Sequence, residues 1–460
     1  MGHLRSAPKL SAITFLVAQA FFTLPAFAAG FQINEISTSL QGNAMAGGAA
    51  ANNDVSSMFI NPATLTTLLQ NQVYAGGSEI LPSIHMSNAT ATHTVNIPGI
   101  IPTSITAPVQ GKNHQHNVSQ GAFVPDAYFG WRFNDRLVGG LSLTAPFGLK
   151  THYENDSVLR FAADYSAIKT ANITPALAYA LSDKWSVGVG FQAQYAHATF
   201  SNYNGPYTGV PAIDALVASD HPTQLKAHGW GYGYTLGMLF KPDACTRLGI
   251  GYRSMVSERL NGDGQQYVMP GEVVPAPNHD FLFNAQTTAK GAIKTPAVLA
   301  LSAARDYIDW TLKASVHVNF WDTFNHISIN MPDAFATNST IQTHWKNAWF
   351  GSLGADYRAI PSWVLRGGVA YDQTPTTNLR DPRIPDNNRF WVNVGASYIV
   401  NKNFSIDGAY SHLFIQDQTV NVTQASGSSA TSTVPLEVNT VHAKYTGNAN
   451  IVALAARYSF

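Results

Sequence analysis

The final ten residues, Ile451 to Phe460, leave the chain little choice of structure. Val452, Leu454, Ala456, Tyr458 and Phe460 form an unbroken apolar row, while Ala453, Ala455, Arg457 and Ser459 fill the alternate positions with smaller or polar groups. A period of two is that of a strand with two unlike faces.

Composition extends that reading to the whole chain. Charged residues are 12% and hydrophobic residues 45%, against about 25% charged in an ordinary soluble domain. Yet past residue 29 no uninterrupted apolar run approaches the ~20 residues of a helical membrane span. The apolar residues must therefore be dispersed by alternation. Trp185, Val187, Val189, Phe191, Ala193 and Tyr195 alternate with small or polar neighbours, as do Trp230, Tyr232, Tyr234, Leu236, Met238 and Phe240, and again Phe390 to Val400. In the second of these the other face, from Gly229 to Leu239, carries mostly small residues, which leaves space in a lumen or lets side chains from elsewhere pack there. A terminal strand ending on an aromatic residue, one face fit for lipid and the other for a lumen, resembles the last strand of bacterial outer-membrane barrels.

The connections fall into two length classes. Short ones lie near Asn134 to Arg136, Ser182-Asp183, Pro242-Asp243, Asp306-Tyr307, Ala359 to Pro361 and Asn401-Lys402. Long ones run approximately over 82–119, 150–165, 200–225, 261–284, 329–340, 374–387 and 422–441. Six short turns alternating with seven long loops join fourteen strands, and outer-membrane barrels have short periplasmic turns and longer external loops. The expected fold is an all-β transmembrane protein, a 14-stranded antiparallel barrel, the β-architecture that satisfies its backbone inside lipid.

The amino terminus is different. Arg5 and Lys9 precede an apolar run from Ile13 to Leu24, and Ala26-Phe27-Ala28 fits the small-x-small pattern of signal peptidase. Residues 1–28 are predicted to be a signal peptide, so that the mature chain starts Ala29-Gly30-Phe31-Gln32. Residues 29–71 show no sustained alternation but carry too many apolar side chains for a solvated tail, among them Phe31, Ile33, Leu40, Met45 and Phe59. They are predicted to form a hatch, or plug, inside a barrel of residues 72–460, whose first strand is expected near Gln72 to Ile80.

These segments resemble a known family. Ala29-Gly30-Phe31-Gln32-Ile33-Asn34-Glu35 and Asn61-Pro62-Ala63 look like the hatch of the FadL family of outer-membrane long-chain fatty acid transporters. Phe147-Gly148-Leu149, the Trp185 to Tyr195 strand, Trp230-Gly231-Tyr232-Gly233, Tyr252-Arg253-Ser254, Ile384-Pro385-Asp386 and Arg389-Phe390-Trp391 follow in the family's order. The resemblance implies a monomer in the bacterial outer membrane that takes up long-chain fatty acids or other hydrophobic small molecules passively. It also implies a sideways exit into outer-membrane lipid, beside a kink in the third strand. Counting places that strand at Leu137 to Leu149, so Ala145, Pro146, Phe147 and Gly148 are the expected lateral gate, Pro146 lacking an N–H for the ladder. Phe31, Asn61, Pro62 and Ala63 are the expected hatch residues, and Asn61 followed by proline also fits a helix cap. Ile213, Leu216 and Val217, at helical spacing in a long loop, match an external hydrophobic groove.

One departure from the family bears on the ligand. The stretches matching the family's basic head-group residues read Thr199 to Asn202 and His326 to Ser328, without Arg or Lys. A carboxylate would then fall to His197, Asn202, His326 or Ser328, or to a base from elsewhere, and carriage of neutral aromatic hydrocarbons stays open beside fatty acids. A surface-receptor or adhesin barrel without transport is a third reading. No motif joins a nucleophile to a base, so no enzyme is expected. No basic cluster marks nucleic-acid binding, and no cofactor is implied. Cys245 is the lone cysteine, and His114-Gln115-His116 lacks the further ligands of a metal site, so none is expected.

Overall fold

The computed structural model describes residues 30–97, 103–204, 221–266, 286–330, 338–426 and 437–460. Fourteen antiparallel strands close into one barrel, as the turn count predicts. In chain order they begin with β1 (Gln72–Ile97), β2 (Ala122–Arg132), β3 (Leu137–Thr144, then Gly148–His152), β4 (Tyr165–Ala180), β5 (Trp185–Asn204) and β6 (His221–Phe240). Four interrupted strands follow: β7 (Thr246–Arg253, Val256–Gln266), β8 (Gln286–Thr295, Ala297–Asp306), β9 (Trp310–Phe320, His326–Asn330) and β10 (Asn338–Gln342, Ala348–Tyr357). β11 (Trp363–Asp372), β12 (Arg389–Ile399), β13 (Phe404–Ser426) and β14 (Glu437–Ser459) complete the wall. β14 returns to β1 from Gln72↔Ser459 to Val95↔Glu437, which closes the barrel.

Alternation assigns the two faces. On β5, Val189 and Phe191 are half exposed on the outside while Gln192 and Gln194 are fully buried within. At the short-turn end the outer face carries aromatic pairs, Trp185 with Phe240 at 4.2 Å, Trp310 with Tyr357 at 4.6 Å and Trp363 with Tyr398 at 4.9 Å. Such pairs mark the membrane–water boundary.

The strand ends differ from the sequence expectation in one region. β1 continues to Ile97 instead of stopping near Ile80, and a further strand, Thr103–Pro108, pairs with it. Much of the expected long loop at 82–119 is thus extended structure. β13 and β14 lengthen beside it, and the three pack on Tyr153, Leu159 and Phe161 through Ile84, Val420 and Tyr445.

Residues 30–71 form short turns and are mostly buried. Helix α1 (Thr38–Gln41) is capped by Ser37, and the 3₁₀ turns Val55–Phe59 and Pro62–Thr67 by Asp54 and Asn61, whose side chains accept the first free N–H groups. The hydrogen-bond partners of this segment are inward residues spread round the wall. Thr38 N donates to Tyr74 Oη of β1 (2.7 Å), Ala49 N to Ser302 Oγ of β8 (3.0 Å), Gly47 N to Ser315 Oγ of β9 (2.9 Å), and Asn393 Nδ2 of β12 to Gln41 O (2.7 Å). Glycine makes some of this approach possible: a Cβ on Gly249 would lie 1.8 Å from Ala49 O, and one on Gly251 1.9 Å from Ile60 O.

Near the short-turn end the inner wall carries a chain of ion pairs. Arg247 holds Asp306, Lys313 holds Asp356 at 2.8 Å, and Arg366 lies 3.7 Å from both Asp356 and Asp407. Arg457 joins Asp407 at 2.9 Å to Asp54 of the amino-terminal segment at 3.4 Å.

Candidate functional site: a break in the barrel wall

β2 and β3 pair from Arg132↔Val138 to Ala127↔Leu143 and then part. Further out a single bridge, Ser119↔Thr151, rejoins them, with His152 N donating to Val118 O at 2.9 Å. Between these points residues 120–126 face residues 144–150 without a ladder hydrogen bond. The register is the same on both sides of the break. It sets Pro146 against Val124, and Pro125 of β2 against Ala145. Each bank therefore contains a residue with no N–H to give. On its other side β3 stays joined to β4 through a one-residue bulge between Thr144↔Asn172 and Gly148↔Lys169. Thr170 spans it, accepting from Phe147 N through Oγ1 at 2.9 Å and donating its own N–H to Phe147 O at 3.1 Å.

The start of the amino-terminal segment takes up the bonds that β2 leaves. Ile33 N donates to Pro146 O and Gly148 N to Phe31 O, both at 2.8 Å, with Gln32 and Phe147 bridged between them. Gly148 does not take a left-handed conformation; its part is the N–H it gives to Phe31. The Phe31 ring is fully buried among Trp321 (4.8 Å between ring centres), Phe324 (5.1 Å), Trp345 (5.7 Å) and Phe147 (5.9 Å). Toward the long-loop end the same cluster continues through inward Ala198, Phe200, Leu225, Leu260 and Ile293. An apolar path thus leads along the inside of the wall to Phe31 and the break.

Asn61, Pro62 and Ala63 sit apart from Phe31, against β5 and β6. Asn61 Oδ1 accepts from Ala63 N at 2.9 Å, while Nδ2 donates to Ala49 O at 2.7 Å and to Met238 O of β6 at 3.0 Å. It is at once the cap of its own turn and a tie from that turn to the wall.

The four expected head-group residues are not brought together. His197 shares the outward parity of Trp185 and Phe191, between inward Ala196 and Ala198. His326 and Ser328 flank inward Ile327 and are exposed on the opposite face. Asn202 Nδ2 donates to Phe161 O and Tyr203 O, each at 3.3 Å. A side chain one position off parity lies on the other face of the sheet, and that is why the first three do not line the path. Ile213, Leu216 and Val217, the expected groove, lie outside the described residues. Pro125 is the feature the sequence reading passed over, although a proline inside an alternating strand was its signal.

A closed fourteen-stranded barrel with an apolar inner path defines the class, an outer-membrane channel for hydrophobic compounds. The chain belongs to the family described as outer membrane protein transport protein (OMPP1/FadL/TodX), whose profile matches residues 19–460. Family members are transport channels and not enzymes. A putative outer membrane protein of Neisseria meningitidis is 28% identical over 98% of this chain and 99% of its own length. A long-chain fatty acid transport protein of Escherichia coli is 28% identical over 90% of this chain and 93% of its own length. Among solved structures, a Pseudomonas aeruginosa FadL homologue superposes with a TM-score of 0.77 at 24% identity, covering 94% of this chain and all of that one. The Ralstonia pickettii toluene transporter TbuX does so with 0.64 at 18% identity, covering 95% of this chain and 100% of that one.

Proposed function

We propose that this barrel takes up long-chain fatty acids by passive movement, with residues 30–71 acting as the hatch and the break between β2 and β3 as the lateral exit. The break carries this reading. An aqueous pore does nothing for a molecule whose apolar surface gains about 25 cal/mol for each Å² kept from water, whereas a gap in the wall opens into lipid. In the resting arrangement Phe31 and Ile33 fill the inner side of that gap, so a molecule arriving along the apolar path must shift them to leave. The name of the E. coli relative favours fatty acid as cargo. One observation favours neutral aromatic hydrocarbons instead: toward the long loops the path runs over the apolar side chains of Ala198, Phe200, Leu225 and Ile293.

Substituting Gly148→Arg places a long charged side chain in the break. Uptake of labelled oleate by cells lacking their own carrier is expected to fall sharply, while heat-modifiable gel mobility shows a folded barrel. Uptake at the native rate by a correctly inserted variant would sink the lateral exit. Competition by oleate, methyl oleate and toluene on the native protein decides between the two cargo classes.

A further inference from the structure

Behind the break lies a narrow cavity of about 40 Å³, lined by Ile33, Phe59, Pro146, Phe147, Arg253 and His317 among others. No carboxylate is among the described residues that line it. Arg253 closes the first half of β7 and is 7% exposed. Its guanidinium lies over the Phe59 ring at 3.8 Å, yet it makes no hydrogen bond or ion pair with any described residue, and Nη1 is wholly enclosed without a partner. His317 Nε2 is likewise buried and unbonded, its ring stacked on Phe350 at 5.3 Å.

A buried, unpaired cation is costly, and one cation–π contact recovers only part of that cost. The rest of the inner wall shows that this chain can pair its cations: Arg247, Lys313, Arg366 and Arg457 each have a carboxylate. Arg253 does not, and it faces a cavity that touches both the amino-terminal segment at Ile33 and the kink at Pro146.

We propose that Arg253, helped by His317 donating from Nε2, is a carboxylate-binding station directly behind the lateral exit, selecting acids over neutral hydrocarbons. The inference rests on the transport reading above. The cavity has room for a carboxylate or a few waters but not for an acyl chain. A bound acid must therefore press its tail against Ile33, whose N–H holds Pro146. Capture of the head group then loosens the contact that fills the break. A neutral hydrocarbon gains nothing from Arg253.

The test is binding of radiolabelled laurate and methyl laurate to the purified full-length barrel in nanodiscs, for the native protein, Arg253→Met and Arg253→Lys. Loss of a charged hydrogen-bond pair is expected to weaken laurate binding in Arg253→Met by about tenfold or more. Methyl laurate should bind as before, and Arg253→Lys should keep the preference for the acid. Equal weakening of acid and ester, or no weakening of the acid, overturns the station. Should Arg253→Met not fold, native crystals soaked with 11-bromoundecanoate decide: a carboxylate on Arg253 supports the station, and a bound acid elsewhere with none there overturns it. Cellular uptake separates the two claims. Acid bound at Arg253 without uptake removes the transport reading alone, whereas uptake unaltered by Arg253→Met, with unaltered binding, removes the station alone.

Discussion

Glu35 shows how one residue can set the pH response of the amino-terminal segment. Its carboxylate is fully buried, two residues beyond the Ile33 contact with Pro146, and among the described residues no side chain hydrogen-bonds to it. Burial pushes it up from 4.5 to about 7, although its own backbone N–H and nearby Arg389 oppose the shift; Asp372 adds to it. The folded value lies above the unfolded one, so the seated segment is fully stable below 4.5 and loses stability as pH rises through 7, by about 3 kcal/mol at the limit. Hydrogen exchange in residues 31–36, corrected for its intrinsic pH dependence, is expected to quicken from pH 5.5 to 8, and Glu35→Gln should flatten the response. An unchanged native profile would mean that Glu35 finds a partner on ionising. The single residues of the site were legible in the sequence only where parity was carried through. Counting by twos from Trp185 puts His197 outside, in agreement with the structure, and counting from Ile250 and Tyr252 puts Arg253 inside. What the count does not supply is the pairing, because the carboxylates that neutralise Arg247 or Arg457 come from other strands and from Asp54.

Among the elements, β3 is the interrupted strand whose break is shared with β2. Pro125 and Pro146 withhold one donor from each bank, so restoring both should narrow the opening. The double substitution Pro125→Thr, Pro146→Thr is expected to raise barrel stability by about 1–2 kcal/mol through two regained ladder bonds. It should reduce oleate uptake more than either single change does. Unfolding in urea together with cellular uptake would check both halves, and faster uptake by the double variant would contradict the proposed exit. Pro146 was visible in the sequence; Pro125 obeys the same rule but stands between residues that otherwise read as ordinary strand. The ends of β1 were misread for a different reason. Hydrophobic alternation reports contact with lipid on one face, and from Ser83 that face carries polar Ser83, His85 and Ser87, so the strand continues after its pattern has gone. The number of strands survived that error because the turns, rich in Asn, Asp and Pro, are independent of it.

At the scale of the molecule, the amino-terminal segment and the wall are held by opposite means on different sides. Toward β7 close backbone contact at Gly249 and Gly251 does the holding. Toward β14 the ion chain ends on Asp54. Arg457→Met would leave buried Asp54 and Asp407 with less compensation, Asp407 keeping the Ser397 hydroxyl and, as its ion pair, the longer contact to Arg366. A loss of about 3–5 kcal/mol is expected, read as a lower temperature for the heat-modifiable transition and earlier proteolysis of residues 30–71. A stable variant with an intact segment would show that the chain tolerates the unpaired acids. The constant register across the break has a last consequence. A barrel's diameter and tilt follow from its strand number and shear, and what the β2–β3 seam adds to the shear is the same below the break and above it. The opening can therefore widen or zip shut as an eyelet does in cloth, without sliding any strand and without the rest of the cylinder changing its girth in the membrane.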